Sequence, residues 1–228
     1  MNATRNPVLR AGVLAALAWI SAPALAIEAF TADYQATAMG MQGEGKVSIT
    51  PQPNNRWQYH LSVRNNLVDL SQKTVFDEQK GWLRPLSGTD MSRLLVRKVA
   101  VNANFDWRRN KVTWTGDVKP ERAGPVALKT GDMDALLVNL AIVRDVAAGR
   151  PLTYRLLENG KAREMTYQIA GKENLTIGGK TRETTKVVRG DGKRETLVWV
   201  VPDMPVPARI LQRQDGQDFI DLKLKAWR

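Results

Sequence analysis

Cysteine is absent from all 228 residues, and histidine occurs once, at His60. Without cysteine there is no disulfide, no thiolate nucleophile and no lipid-modified cysteine. Zinc, copper and iron sites draw on clustered histidine, cysteine or carboxylate ligands, so these two scarcities argue against a transition-metal centre. The acidic residues do not fall into a calcium loop, because Asp132 and Asp134 stand where a helix begins and their charge suits its dipole. No G-x-S-x-G elbow occurs, and the glycine-rich Gly40 to Gly45 (GMQGEG) joins two strand-like runs rather than opening a helix. The linear order singles out no pair of carboxylates for glycosidase-type chemistry. No cofactor is implied, and the chain reads as non-enzymatic.

A long apolar run is also missing from the body of the chain. The one near the N-terminus, Ala11 to Ile20, follows Arg5 and Arg10 and precedes Ser21-Ala-Pro-Ala-Leu-Ala26. That is the three-part pattern of a secretory signal peptide, with small Ala24 and Ala26 where the peptidase must fit. Pro23 breaks the run short of the roughly 20 apolar residues that span a bilayer. Cleavage after Ala26 is expected, leaving 27–228 as a soluble periplasmic domain without a transmembrane anchor.

Positive charge is in excess, with 34 Lys and Arg against 23 Asp and Glu. Taking Arg5 and Arg10 from the net +11 leaves +9 on the mature chain. Anions are therefore attracted. Nucleic acid is not expected as a partner, since the chain is exported and has no helix-turn-helix, zinc-finger or RNP signature. Lipid phosphates, lipopolysaccharide and peptidoglycan carboxylates are the anions at hand, and a solvated basic surface that keeps the protein soluble is the simpler reading.

Apolar residues recur at every second position through most of what remains, the rhythm of a strand with one buried face. Phe30, Ala32, Tyr34, Ala36 and Ala38 do so, as do Trp57, Tyr59, Leu61 and Val63. Val99 to Trp107 and Ile220 to Ala226 repeat the pattern. Asn159-Gly160, Gly178-Gly179, Gly190-Asp-Gly192 and Asp215-Gly216 supply residues that tolerate the positive φ of tight hairpins. From Leu152 onward the strands are expected to form a meander joined by hairpins, not crossovers.

One segment departs from this period. Between Asp132 and Ala148, Met133, Leu136, Leu137, Leu140, Val143 and Ala147 fall at helical spacing. Thr130 or Asp132 is placed to cap its start, and Gly149 followed by Pro151 to stop it. Gly116 to Thr130, with Pro120, Gly124 and Pro125, reads as a loop. The predicted fold is mainly β: a strongly curved antiparallel sheet or open β-barrel in a single domain, 27–228, with one helix packed on or across the concave face.

Six tryptophans remain after the leader is removed, Trp57, Trp82, Trp107, Trp114, Trp199 and Trp227. Most stand in phase with apolar neighbours, which favours core packing over a stacking groove. His60 falls out of phase with Trp57, Tyr59 and Leu61 and is expected on a wet face.

The acidic-start helix Asp132-Met-Asp-Ala-Leu-Leu-Val-Asn-Leu-Ala-Ile-Val-Arg144, the hairpin array after it and the closing run Leu197-Val-Trp199, Pro205-Val-Pro-Ala-Arg-Ile210 and Gly216 resemble the bacterial envelope family known as DUF3108. The resemblance implies an exported β-rich domain with no assigned catalytic residues.

A curved sheet capped on one side leaves cavities. The expected function is thus a binding or scaffold module for a lipid or other apolar or amphiphilic envelope component, with the helix as plug or lid. Trp107, Met133, Leu137, Leu140 and Trp199 are the candidate contacts, although they serve equally well as plain core. The alternative is an interaction module that docks an envelope protein partner through a sheet edge or a basic face, with no small ligand.

Overall fold

The computed structural model describes residues 27–94 and 97–228. The predicted leader, 1–26, and its cleavage site lie outside the described residues. Eight strands come first: β1 (Phe30–Ala38), β2 (Met41–Gln52), β3 (Arg56–Arg64), β4 (Val68–Gln79), β5 (Trp82–Leu94), β6 (Arg97–Asp106), β7 (Lys111–Gly116) and the short β8 (Val126–Ala127). An insert follows, made of β9 (Asp132–Met133), helix α1 (Ala135–Ala147), β10 (Thr153–Glu158) and β11 (Lys161–Thr166). Five more strands close the chain: β12 (Gln168–Ile177), β13 (Lys180–Gly190), β14 (Arg194–Val200), β15 (Arg209–Gln214) and β16 (Gln217–Trp227).

The first and last groups form one 13-stranded antiparallel sheet in the order β12-β13-β14-β15-β16-β1-β2-β3-β4-β5-β6-β7-β8. Two meanders are thus zipped together where the last strand pairs with the first, Ala36 opposite Leu222 and Ala32 opposite Trp227. Strands β8 and β12 remain as edges, so the sheet curves but does not close into a barrel. The insert is threaded between the two meanders, and α1 packs against β3, β4, β5, β10 and β14 from inside.

Alternation decides which face of each strand is buried. Phe30, Ala32, Tyr34, Ala36 and Ala38 are all buried along β1, with Tyr34 donating its hydroxyl to the Pro207 carbonyl at 2.7 Å. The expected turns at Asn159-Gly160, Gly178-Gly179 and Asp215-Gly216 have positive φ at both residues. Gly43, inside β2, is where the backbone of Arg64 approaches closely: a Cβ there would lie 2.2 Å from the Arg64 carbonyl oxygen. Beside it Asn65 ties the two hairpins, donating to the carbonyls of Ala38 and Met41 and accepting from the Leu67 and Val68 amides.

The insert corrects two expectations. Strands β10 and β11 do form the hairpin, but with β9 they make a separate three-stranded sheet, in which β9 and β10 run parallel. A crossover through α1, ahead of the Leu152 from which a meander was expected, joins β9 to β10, so the β10–β11 hairpin pairs with β9 and not with β12, and the meander proper starts at β12. The signal is too short to read, since β9 contributes only two residues. The helix also begins later than expected, and its cap is Asp134, which accepts from the Leu137 amide at 3.0 Å; neither Thr130 nor Asp132 caps it. Asp132, wholly buried, instead accepts from Arg155 at 2.6 Å and from the Lys129 amide at 2.7 Å. A desolvated carboxylate needs such partners.

One large core joins the helix to the inner face of both meanders, and a smaller one gathers Phe105, Val112, Trp114, Leu128 and Leu157 near the end of the first.

Candidate functional site

Nearly the whole circumference of α1 is buried, Leu136 through Val138 and Leu140 through Arg144. Such a helix is a plug, not a lid riding on the surface. Arg144, itself buried, is held by Glu78 of β4 at 3.1 Å, and Tyr154 of β10 donates to Asp145 at 2.9 Å. These ties fix the insert to the sheet that surrounds it.

Beside the N-terminal turn of α1 lies a cleft of about 600 Å³. Its floor is Ala135, Val138 and Asn139 of the helix. One wall is the inner face of β3 to β6, with Leu61, Val63, Leu70 and Val101; the other is β14 to β16, with Ile210, Ile220 and Leu222. The β10–β11 hairpin contributes Leu156 and Met165. Further out the lining becomes charged: Arg163, Arg189, Arg194 and Arg213 alternate with Glu158, Asp191 and Glu195. Arg163 pairs with Glu158, Arg213 with Glu195 at 3.1 Å, and Arg189 with Asp191 at 3.5 Å. An apolar interior with a polar, charge-balanced mouth follows from the alternation of each strand continued to its end.

A group of carboxyls stands at the inner margin of this cleft. Asp134 accepts a hydrogen bond from the Thr74 hydroxyl. Burial pushes its pKa up to about 6, against the opposing hydrogen bonds from Thr74 and Leu137 and with a smaller push from Asp90. Asp90 faces the cleft, where solvent reaches it but protein surrounds it; desolvation raises its pKa too, with Glu158 adding to the rise. Between Asp90 and Asp134 is a void of about 30 Å³, the size of one water.

The structure brings together four of the five residues singled out from the sequence, though not around the cleft. Met133, Leu137, Leu140 and Trp199 share the main core and are buried. Trp107 lies apart, in the turn after β6, where it packs on the smaller core and donates to the Pro85 carbonyl at 2.6 Å. None of the five is among the cleft lining. The helix turns Leu137 and Leu140 into the packed side and presents Val138 and Asn139 to the open one. The 3.6-residue period contained that choice, but only the path of the sheet decides which side is covered.

Trp199 is held from outside by the cations of Arg209 and Lys186, 4.7 and 5.2 Å from its ring, and donates to Glu173 at 2.7 Å. Its polar partners and neighbours account for it structurally. Of the other tryptophans, Trp114 is buried, Trp57 and Trp107 half-buried, Trp82 and Trp227 exposed. His60 is half-buried, its Nε2 3.0 Å from the Ser71 hydroxyl, and partial burial lowers its pKa with help from Lys73. No nucleophile–base–acid arrangement surrounds it among the described residues. Nor do three or more histidine, cysteine, aspartate or glutamate side chains cluster as metal ligands among them.

The sequence from 30 to 223 matches the family model described as protein of unknown function, DUF3108. The chain belongs to the DUF3108 family. No curated protein matches this DUF3108 chain in sequence. Among solved structures, its backbone is similar to that of a β-barrel-like DUF1849 protein from Brucella abortus, with 11% identity, 87% of this chain and 96% of that one covered, and a TM-score of 0.44. It is also similar to MucB in complex with MucA(peri), with 8% identity, 88% and 49% covered, and a TM-score of 0.36. The Pseudomonas aeruginosa MucA/MucB complex gives 9%, 88%, 51% and 0.36. This DUF3108 chain spans about half the length of MucB.

Proposed function

We propose that the protein is a non-enzymatic binding module of the cell envelope, acting in the periplasm after removal of its leader, and that the cleft beside α1 takes the apolar part of an amphiphile. One observation carries this reading: the interior of the curved sheet is left unfilled over about 600 Å³. Volumes of about 300–1,000 Å³ are usual for ligand sites, and interiors without a ligand role close to near-crystalline density. The lining supports an amphiphile in particular. Val63, Val138, Ile210 and Leu222 offer an apolar interior, and Arg194 together with the Arg213–Glu195 pair offers a polar mouth for a headgroup.

Native mass spectrometry and lipid extraction of protein purified from the periplasm test the proposal. Wild-type protein is expected to carry a lipid or lipid-like mass, and Leu70→Arg, which sets a cation on the half-buried wall of the cleft, to lose it while staying folded. A clean apo mass after gentle purification, or retention of the ligand by the variant, overturns the reading.

A protein partner is the second reading, and a different feature favours it. β12 is an edge strand of ten residues, exposed along most of its length and without a strand on its outer side among the described residues. Such an edge accepts an added strand. Cross-linking to a reproducible partner, abolished by Thr176→Pro in β12 and untouched by Leu70→Arg, would favour it over the cleft.

A further inference from the structure

In a meander every second turn falls on the same rim of the sheet. One rim of this sheet carries the β1–β2, β5–β6, β13–β14 and β15–β16 turns. Strand ends from that rim line the cleft, among them Ser92, Val99, Arg194, Gln214 and Phe219, so the cleft opens there. Among the described residues seven large apolar side chains are exposed, and four of them, Met39, Met91, Leu94 and Phe219, stand along this mouth. Trp82 and Trp227 lie at the opposite ends of their strands, and Ile169 on the edge strand β12.

The four are not scattered around the opening. Met39 and Phe219 are joined by a backbone hydrogen bond of 3.0 Å on one side of it. Met91 and Leu94 belong to β5 on the other. Met39 is also out of keeping with its backbone: at φ +53 it occupies a turn position that Asn, Asp or Gly fills at lower cost. An apolar side chain is displayed there against local preference.

Charge separates the β5–β6 hairpin from the rest of the molecule. From Met91 to Phe105 the sequence has Arg93, Arg97 and Lys98 and no carboxylate. All three cations are exposed and flank the exposed Leu94; Arg93 pairs with Asp69 of β4 at 3.6 Å, and Arg97 and Lys98 are in no ion pair among the described residues. Exposed apolar side chains beside unpaired cations, as Leu94 stands beside Arg97 and Lys98, are the chemistry that enters the interfacial layer of an anionic bilayer, the apolar groups among the acyl chains and the cations among the phosphates. A protein partner would equally accept the apolar patch; what favours a bilayer is that the unpaired Arg97 and Lys98 stand beside Leu94 at the mouth of a cleft with apolar walls, so that an acyl chain and its phosphate are met at one place.

We propose that this rim docks the protein on an anionic lipid surface, with Leu94 of β5 and Arg97 and Lys98 of β6 as principal contact and Met39 and Phe219 completing it. The inference rests on the amphiphile reading of the cleft and deepens it: the mouth is held against the layer from which the ligand comes, so an acyl chain passes between bilayer and cleft without crossing water.

Vesicle sedimentation tests it, using protein as processed by the expressing cell, its N-terminus read by mass spectrometry so that all variants share it. Wild-type protein is expected to partition onto vesicles of phosphatidylglycerol and phosphatidylcholine more strongly than onto phosphatidylcholine alone. Replacing Arg97 and Lys98 together by Gln should weaken partitioning onto the anionic vesicles about thirtyfold. Met39→Asp with Leu94→Asp should weaken it about tenfold or more. Neither Met39 nor Leu94 lines the cleft. Trp82→Asp, on the opposite rim, should leave it unchanged, and melting curves of all variants confirm folding.

Absence of binding, or equal loss with Trp82→Asp, overturns the proposal. So does a concentration-dependent dimer in ultracentrifugation that Leu94→Asp abolishes, since the rim would then be covered by a second copy. Failure here is distinguishable from failure of the cleft: a ligand-bearing protein that ignores vesicles refutes only the rim, and an empty protein that binds them through it refutes only the cleft.

Discussion

The two ends of the inner face of this sheet are built by the same strands yet finish differently. Along β4, Phe76 and Thr74 are buried at one end, while Gln72 and Leu70, on the same face, are half-buried at the other. Along β16, Leu224 and Leu222 are buried and Ile220 half-buried. Along β14, Val198 is fully buried and Thr196 is not. The difference is the helix. Thirteen residues at about 1.5 Å of rise give a plug of roughly 20 Å, and strands of 11 or 12 residues at about 3.3 Å run nearly twice as far. One end is filled to core density and the other is left as a cleft.

The largest expected effect lies at the filled end. Leu137 is fully buried in the main core, so Leu137→Ala should cost about 4 kcal/mol, combining lost transfer energy with a cavity the surrounding sheet cannot collapse. Urea denaturation measures it. Arg155→Met comes next, because it strands the buried Asp132 carboxylate; a cost of about 3 kcal/mol is expected. Adding Asp132→Asn should return much of that loss in the same experiment, since the remaining amide no longer demands a cation.

The boundary between the two ends is sensitive to pH. Asp134 caps the helix there with a pKa raised to about 6 from 3.8. The folded chain therefore holds this proton more tightly than the unfolded chain. The stabilisation is fully present below about pH 4 and is lost as pH rises through 6. Asp134→Asn keeps a capping oxygen and has no proton to lose. Its stability relative to wild type should thus rise by about 2–3 kcal/mol between pH 4 and pH 7, measured as paired urea midpoints across that range. A constant difference would mean that the carboxyl is better hydrated than its setting indicates.

Much of the filled end was legible in the chain. Two-residue alternation locates β1, β3 and β6, and the helical apolar spacing locates α1, because each property belongs to a single element and its immediate neighbours. The cleft was not legible in the same way. Val138 and Leu137 are adjacent buried residues of one helix, and nothing local says that Val138 borders the cleft while Leu137 is packed on all sides. That depends on the pairing of β16 with β1, which brings Leu222 and Ile210 round to face Leu70 and Val63, contacts between residues more than a hundred positions apart. The tryptophans misled for a related reason. Trp199 has the phase and the size of a pocket residue, but its ring is covered by Arg209 and Lys186 on the outer side of the strand. The parallel crossover through β9 was hidden by length, two residues being too few to show any period.

The smallest expected effect tests the open end directly. Leu70 and Ile220 line the cleft from opposite walls and are half-buried, so the atoms removed by Leu70→Ala or Ile220→Ala already border open volume. No new enclosed cavity forms and only part of the transfer term is lost, so each should cost about 1 kcal/mol or less, against the larger loss for Leu137→Ala. Urea denaturation of the three variants side by side makes the ratio independent of the reference state. If Leu70→Ala and Ile220→Ala cost as much as Leu137→Ala, the two ends are packed alike and the cleft is closed in solution. If they cost little but lower the amount of co-purified amphiphile, the apolar walls at this end are retained for a ligand rather than for the fold.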